Sequence, residues 1–244
     1  MSLGLQLDQI ADAFNSSGLQ LGGVIPLSTT DYPDSLSAVL FCQGCPWRCR
    51  YCHNPHLQAK GSSEIELSDI FRFLLSRRGL LDAVVFSGGE PSYQDAIFAA
   101  VKSVSRLGFK AGMHTASPSL DTLEKLLEDL SWIGLDIKSL PEDYPELTGI
   151  AGSGAESFLA AKMLVQSGIR LEVRTTVHPL LMDGEKILRV AERLAEIGVE
   201  EYVLQIFRKT GGRDSELMNS CAQFDYTVCD TLRSMFRRFT VRNA

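Results

Sequence analysis

No stretch of the 244 residues is apolar for long enough to cross a membrane as a helix. The N-terminus has no basic start, apolar stretch and small-residue cleavage site, so no secretory leader is expected. Basic residues are outnumbered, 24 Lys and Arg against 30 Asp and Glu, giving a formal charge of −6. No Lys/Arg cluster is long enough to follow a phosphate backbone, which speaks against nucleic acid as a direct substrate. Internal repeats and low-complexity linkers are absent. The six cysteines make a poor disulfide framework: four crowd into residues 42–52, and Cys221 and Cys229 lie far off. A soluble, cytoplasmic protein is expected. Its length allows one or two domains and a core that needs no staples.

What the chain has is the run Phe41 to Pro55, FCQGCPWRCRYCHNP. Cys45, Cys49 and Cys52 stand there at C-x3-C-x2-C spacing, close enough for one loop to wrap a small inorganic centre. Thiolates ligate iron–sulfur clusters and also zinc. Three cysteines on a four-iron cubane leave one iron open to a substrate or cofactor. The zinc alternative pairs Cys42 with Cys45 and Cys49 with Cys52. Zinc ribbons separate such pairs by many more residues, so that two knuckles can face each other. Cys42 reads instead as the buried end of a strand.

Around this loop the sequence alternates. Apolar runs at Leu36–Cys42, Ala83–Phe86, Phe109–Thr115, Trp132–Ile137, Leu171–Val177 and Tyr202–Phe207 read as strands. Helical spacing occupies about 67–78, 93–107, 119–130, 154–167, 184–197 and 224–238. Strands alternating with helices imply an α/β fold with parallel pairing. Periodicity alone leaves a partial barrel and a flat doubly wound sheet open. Residues 1–20 read as a peripheral appendage ending in a helical turn, and 21–244 as one domain. The polar residues gather at strand ends: the cysteine loop, Ser87-Gly88-Gly89-Glu90-Pro91, His114-Thr115, Asp136 and Lys138, Arg174 to His178, and Gln205. Active sites of parallel β/α barrels collect at such C-terminal ends.

The cysteine loop, with the aromatic Tyr51 before its last cysteine, resembles the signature of the radical S-adenosylmethionine superfamily. QGCPWRCRYCHNP is similar to the activating enzymes of glycyl radical enzymes. Gly23 to Pro33, GVIPLSTTDYP, resembles the activators of anaerobic ribonucleoside-triphosphate reductases. The resemblance spans about residues 20 to 210. It implies a partial (β/α)6 barrel with outer helices. It implies a [4Fe–4S] cluster on Cys45, Cys49 and Cys52, with S-adenosylmethionine chelating the open iron. A one-electron donor such as flavodoxin or ferredoxin would reduce the cluster. The resulting 5′-deoxyadenosyl radical would remove a hydrogen from one glycine of a partner enzyme.

The same resemblance implies further cofactor contacts. Gly88, Gly89 and Glu90 would meet the methionine amino end, where the glycines allow close backbone approach. Asp136 and Lys138, two apart and so on one side of the chain, match an Asp-x-Lys that contacts the cofactor. Tyr51 and His53 would line the adenosyl pocket, and Thr115, Arg174 and His178 would add contacts at neighbouring strand ends. For Arg174 the plainer reading is an internal salt bridge. His114 stands where the activases often carry an aspartate beside a monovalent cation, and neutral imidazole is a poor ligand for that ion. No cysteine lies between Cys52 and Ser87, so no ferredoxin-like insertion is expected there, and Cys221 and Cys229 read as structural or incidental. The rival readings are a radical enzyme acting on a small molecule, like 7-carboxy-7-deazaguanine synthase, and a zinc- or cluster-bearing binding module.

Overall fold

A computed structural model describes residues 3–61, 64–209, 212 and 214–243. The chain forms two compact units. The first comprises the residues up to Cys45, Leu57–Thr115 and Asp121–Ile133; the second comprises Pro46–His56, Ala116–Leu120 and the chain from Gly134 onward.

The first unit carries α1 (Leu3–Asn15), β1 (Leu21–Ser28), β2 (Ser37–Cys42), α2 (Leu67–Ser76), β3 (Ala83–Gly88), α3 (Ile97–Arg106), β4 (Lys110–Thr115) and all but the first residue of α4 (Leu120–Leu126). Strand β5 (Trp132–Asp136) begins in this unit and ends in the other. The second unit continues with α5 (Tyr144–Thr148), α6 (Ser157–Ser167), β6 (Arg170–Val177), α7 (Gly184–Ile197), β7 (Glu201–Ile206), α8 (Ser215–Asn219), α9 (Val228–Met235) and β8 (Arg238–Asn243). The six expected strands are thus β2 to β7. Strands β2, β3 and β4 pair in parallel, as do β6, β7 and β8.

Two strands were not expected. β1 runs antiparallel to β2, with Val24 opposite Leu40. Gly22, Gly23 and Pro26 break its apolar pattern, and a proline that cannot donate to a ladder fits the edge position that β1 holds. β8 lies just past the helix expected over 224–238. That helix stops at Met235, and Arg238–Asn243 pairs along β7. Helix α1 is longer than the expected turn. Its Ile10 and Phe14 are buried, and the Phe14 ring lies 6.0 Å from that of Phe71 in α2.

Period two sorts the first unit's strands into faces. Val39, Ala83 and Val85 point one way and pack with Tyr32, Trp132 and Phe41. Their neighbour on β4 is Gly112, and its missing side chain is required: a Cβ there would lie 2.9 Å from the Tyr32 ring and 3.1 Å from Trp132. Into that space Tyr32 and Trp132 bring their rings, 5.3 Å apart. Such a pair adds about 0.5–1.5 kcal/mol beyond the area it buries. Tyr32 belongs to the Gly23–Pro33 run, so part of that run's pattern is core packing.

Candidate active site

In the first unit, the strand end after β2 leads directly into Cys45. Cys42 closes β2 fully buried, and burial, with the charge of Glu90, pushes its thiol pKa far up. It is a packed, neutral thiol, as expected. The loop start is held by backbone hydrogen bonds from Gly44 N–H to the Leu57 carbonyl (2.7 Å) and from Cys45 N–H to the Gln58 carbonyl (3.0 Å).

Gly88 and Gly89 act on this same loop. Gly88 has φ +106°, and a Cβ on it would lie 2.6 Å from the Cys42 nitrogen. A Cβ on Gly89 would lie 2.3 Å from the Gly44 carbonyl oxygen and 2.9 Å from that of Leu57. The close approach that the two glycines permit is therefore to the cysteine loop's own backbone. Two hydrogen bonds of 2.8 Å seal it, Gly89 N–H to the Cys42 carbonyl and Glu90 N–H to that of Gly44. The Glu90 carboxylate is buried, and its Oε1 accepts from Ser92 N–H (3.1 Å), Ser92 Oγ (2.7 Å) and Thr115 Oγ1 (2.6 Å). It caps the short turn Pro91–Tyr93 and ties the end of β3 to that of β4.

His114 is engaged at both ring nitrogens. Nε2 lies 2.9 Å from the Asp31 carbonyl and Nδ1 lies 3.3 Å from Ser87 Oγ. A neutral ring that donates from Nε2 and accepts at Nδ1 satisfies both contacts. Trp132 meets it edge-on at 5.2 Å. His114 thus ends its strand as a packed, hydrogen-bonded side chain.

In the second unit, the loop from Pro46 to His56 lies on α5. Arg48 and Arg50 donate their backbone N–H groups to the carbonyls of Thr148 and Leu147, at 2.7 and 2.9 Å. Those carbonyls, at the end of a helix, have no partner within it. The Arg50 side chain reaches α8, with Nε 2.7 Å from Asp214 Oδ2 and Nη2 2.7 Å from Glu216 Oε2. Cys52 N–H donates to the Cys49 carbonyl at 3.1 Å, so the two cysteines flank a tight turn. Both lie outside any disulfide and are half-buried, as is Cys45 in the first unit. Burial raises the Cys49 pKa, and the nearby Lys138 ammonium partly opposes that shift. Among the described residues, no three His, Cys, Asp or Glu side chains converge to hold a single metal ion. A cubane seats each thiolate on a different iron, so its ligands need not converge on one point.

Lys138 sits inside this unit with its ammonium 3.5 Å from Asp136 Oδ2, the side-chain pair expected from their spacing. The same nitrogen lies 5.7 Å from the centre of the Trp47 ring and 5.6 Å from that of Tyr51. Burial works against its charge, and the electrostatic influence of Tyr51, Cys49, Asp136 and Tyr144 outweighs it, so the Lys138 pKa lies above the ordinary lysine value. Its backbone N–H donates to Tyr144 Oη at 2.9 Å, and Tyr144 meets Trp47 edge-on at 5.9 Å. Tyr51 packs with Leu147, Phe207 and Leu217. Its hydroxyl is buried without a hydrogen-bond partner among the described residues.

His53 and His178 meet at one ring. His53 stacks on Phe207 at 5.5 Å, and His178 approaches its edge at 5.3 Å. Burial lowers both imidazole pKa values, aided by Arg208 for His53 and Lys209 for His178. Arg174 takes the plainer role: its Nε lies 2.5 Å from Glu172 Oε1, and Arg242 of β8 grips the same carboxylate at 2.8 and 2.6 Å. Gln205 accepts from Thr176 Oγ1 at 3.4 Å. Sequence reading missed Trp47, Arg50, Tyr144, Phe207 and Ser92. The first two lie inside the cysteine motif, where they read as spacers. The others carry no local signal.

A family profile described as the Radical SAM superfamily matches residues 39–197. The chain belongs to that superfamily. It is thereby an enzyme, and membership implies an iron–sulfur cluster and S-adenosylmethionine. Pyruvate formate-lyase-activating enzyme of Clostridium pasteurianum is 29% identical over 204 residues, covering 80% of this chain and 83% of that one. A Methanocaldococcus jannaschii protein named as a glycyl-radical enzyme activating enzyme is also 29% identical, over 206 residues, with the same coverage. Among solved structures, Streptococcus suis SuiB bound to S-adenosylmethionine aligns with a TM-score of 0.62 at 14% identity. That match covers 83% of this chain and 49% of SuiB. It bears out the expected α/β class, parallel strands with outer helices of the partial-barrel type. No helix among the described residues is long and apolar enough to cross a membrane.

Proposed function

We propose that this radical SAM enzyme activates a glycyl radical enzyme, and that its partner is an anaerobic ribonucleoside-triphosphate reductase. Relatives matched over 80% of this chain and 83% of their own carry activating-enzyme names, and this observation supports the reaction class most strongly. For the partner, the support is the likeness of Gly23–Pro33 to that subgroup. The same names favour activation of a protein over the small-molecule alternative.

The residues fit the two groups this reaction needs. Cys45, Cys49 and Cys52, none of them in a disulfide, lie on one eight-residue stretch, and their soft sulfur atoms suit iron. The unpartnered Tyr51 hydroxyl gives a bound cofactor a buried polar atom to meet. Bound together, a reduced cluster and S-adenosylmethionine supply a 5′-deoxyadenosyl radical. The chain's own residues hold and shield these groups. Gly88 to Glu90 meet the amino end of S-adenosylmethionine through the backbone, since Glu90 Oε1 already accepts three hydrogen bonds. Asp136 and Lys138 orient its charged groups. His53 and His178, neutral around Phe207, give an aromatic wall suited to adenine. Thr115 acts by fixing Glu90, and Arg174 by fixing Glu172. Flavodoxin or ferredoxin supplies the electron, in a reducing cytoplasm that suits six cysteines outside any disulfide.

The test is anaerobic incubation of reconstituted protein, reductant and S-adenosylmethionine with the reductase from the same genome. An organic radical with a glycyl doublet in the electron paramagnetic resonance spectrum is expected on the reductase. Cofactor cleavage that leaves this reductase without a radical, while another glycyl radical enzyme acquires one, refutes the partner. Cleavage stimulated only by a small molecule refutes activation itself.

A further inference from the structure

We propose that Lys138 is a fixed interior cation that raises the reduction potential of the cluster bound through Cys49, and that Trp47 and Tyr51 hold it there. This inference rests on the cluster reading above. Three observations carry it, all within the second unit. Lys138 is 7% exposed, although lysine is almost never buried unless paired. Its carboxylate neighbour, Asp136 at 3.5 Å, has a side chain 40% exposed, so solvent screens the negative partner more than the positive one. Its ammonium also lies within 6 Å of the centres of two rings, where cation–π attraction operates.

Those rings belong to Trp47 and Tyr51, two residues before and two residues after Cys49. The turn that presents Cys49 therefore wraps the ammonium. Tyr144 fixes both sides of this arrangement, accepting from the Lys138 N–H and packing its edge on Trp47. The α5 carbonyls fix the loop backbone at Arg48 and Arg50. The cation cannot swing away as a surface lysine would. A fixed positive charge beside a cluster favours its reduced, more negative state, because net charge and local dipoles set such potentials.

The test is potentiometric titration of the reconstituted cluster, without S-adenosylmethionine, followed by its spectrum in the reduced state. Iron and sulfide are counted in each sample. Lys138→Met keeps the length and removes the charge. At a fixed electrode potential it should lower the reduced-to-oxidised ratio at least tenfold, about 59 mV for one electron. Asp136→Asn should move the ratio the opposite way, and Lys138→Arg should stay near wild type. Opposite shifts from two neighbouring substitutions are not what loosened packing would give. Should Lys138→Met bind no cluster, Asp136→Asn and Lys138→Arg decide by the same signs. Unchanged potentials in clusters of normal iron content overturn the inference and leave the cluster assignment standing. A wild-type protein that binds no cluster overturns both, and so is recognisably a different failure.

Discussion

Replacing Gly89 with alanine distinguishes two roles for the Gly-Gly-Glu run. The new Cβ would stand 2.3 Å from the Gly44 carbonyl oxygen and 2.9 Å from the Leu57 carbonyl oxygen. Both obstacles are backbone, so no rotamer change relieves them. The cysteine loop must move away from the end of β3, straining the 2.8 Å bonds Gly89 N–H to Cys42 and Glu90 N–H to Gly44. Overpacking of this kind and a weakened hydrogen bond together cost about 2–4 kcal/mol. For a chain of this size the melting temperature should fall on the order of 10 °C. The assay is thermal unfolding of the cluster-free protein, with no cofactor present. If the glycines served only to admit a ligand, Gly89→Ala would melt like the wild type and lose only S-adenosylmethionine binding. That result would refute the packing argument.

Other substitutions probe the remaining contacts. Glu172→Gln leaves the buried Arg174 without its carboxylate and should destabilise the cluster-free protein by about 3–5 kcal/mol in denaturant titrations. Burial disfavours the Glu172 charge, but Arg174 and Arg242 outweigh it, so its folded-state pKa lies below the ordinary value. The stabilisation is therefore complete above the unfolded carboxylate pKa, about 4.3, and is lost as pH falls through the folded value. Acid unfolding profiles should show that loss in wild type and not in Glu172→Gln. Arg50→Met removes two partly exposed ion pairs to α8 and should cost about 1 kcal/mol, with a smaller deficit at high salt. Phe14→Ala empties a fully buried site between α1 and α2 and should cost about 3–5 kcal/mol. A change under 1 kcal/mol there would mean that α1 is a loose attachment.

The alternation from Leu36 to Phe207 was legible because each of β2 to β7 is an apolar run bounded by helical spacing. β1 was not legible, since Gly22, Gly23 and Pro26 suppress the apolar pattern of this edge strand. In β8, Phe239 and Val241 alternate with polar residues, too short a signal just past the helix expected over 224–238 to stand out as a strand. At the site, the cysteine spacing pointed to the loop, and Asp136 and Lys138 lie together as period two requires. The close approach at Gly88 and Gly89 is expected toward a ligand, whereas their Cβ positions face the backbone of Cys42 for Gly88 and of Gly44 and Leu57 for Gly89. Sequence gives the need for glycine but not the identity of the neighbour. Trp47, Tyr144 and Phe207 were invisible for the same reason: their roles depend on tertiary contacts made by residues far apart in the chain.

The central claim is that Cys49 holds a cluster that cleaves S-adenosylmethionine while the neighbouring Cys42 is only packing. The most direct measurement is 5′-deoxyadenosine formed by anaerobically reconstituted, reduced wild type, Cys42→Ala and Cys49→Ala proteins. The account predicts product from the first two and none from the third, which should also lack the reduced-cluster spectrum. Product from Cys49→Ala, or none from a wild type with a full iron and sulfide complement and a glycyl radical partner present, would contradict it.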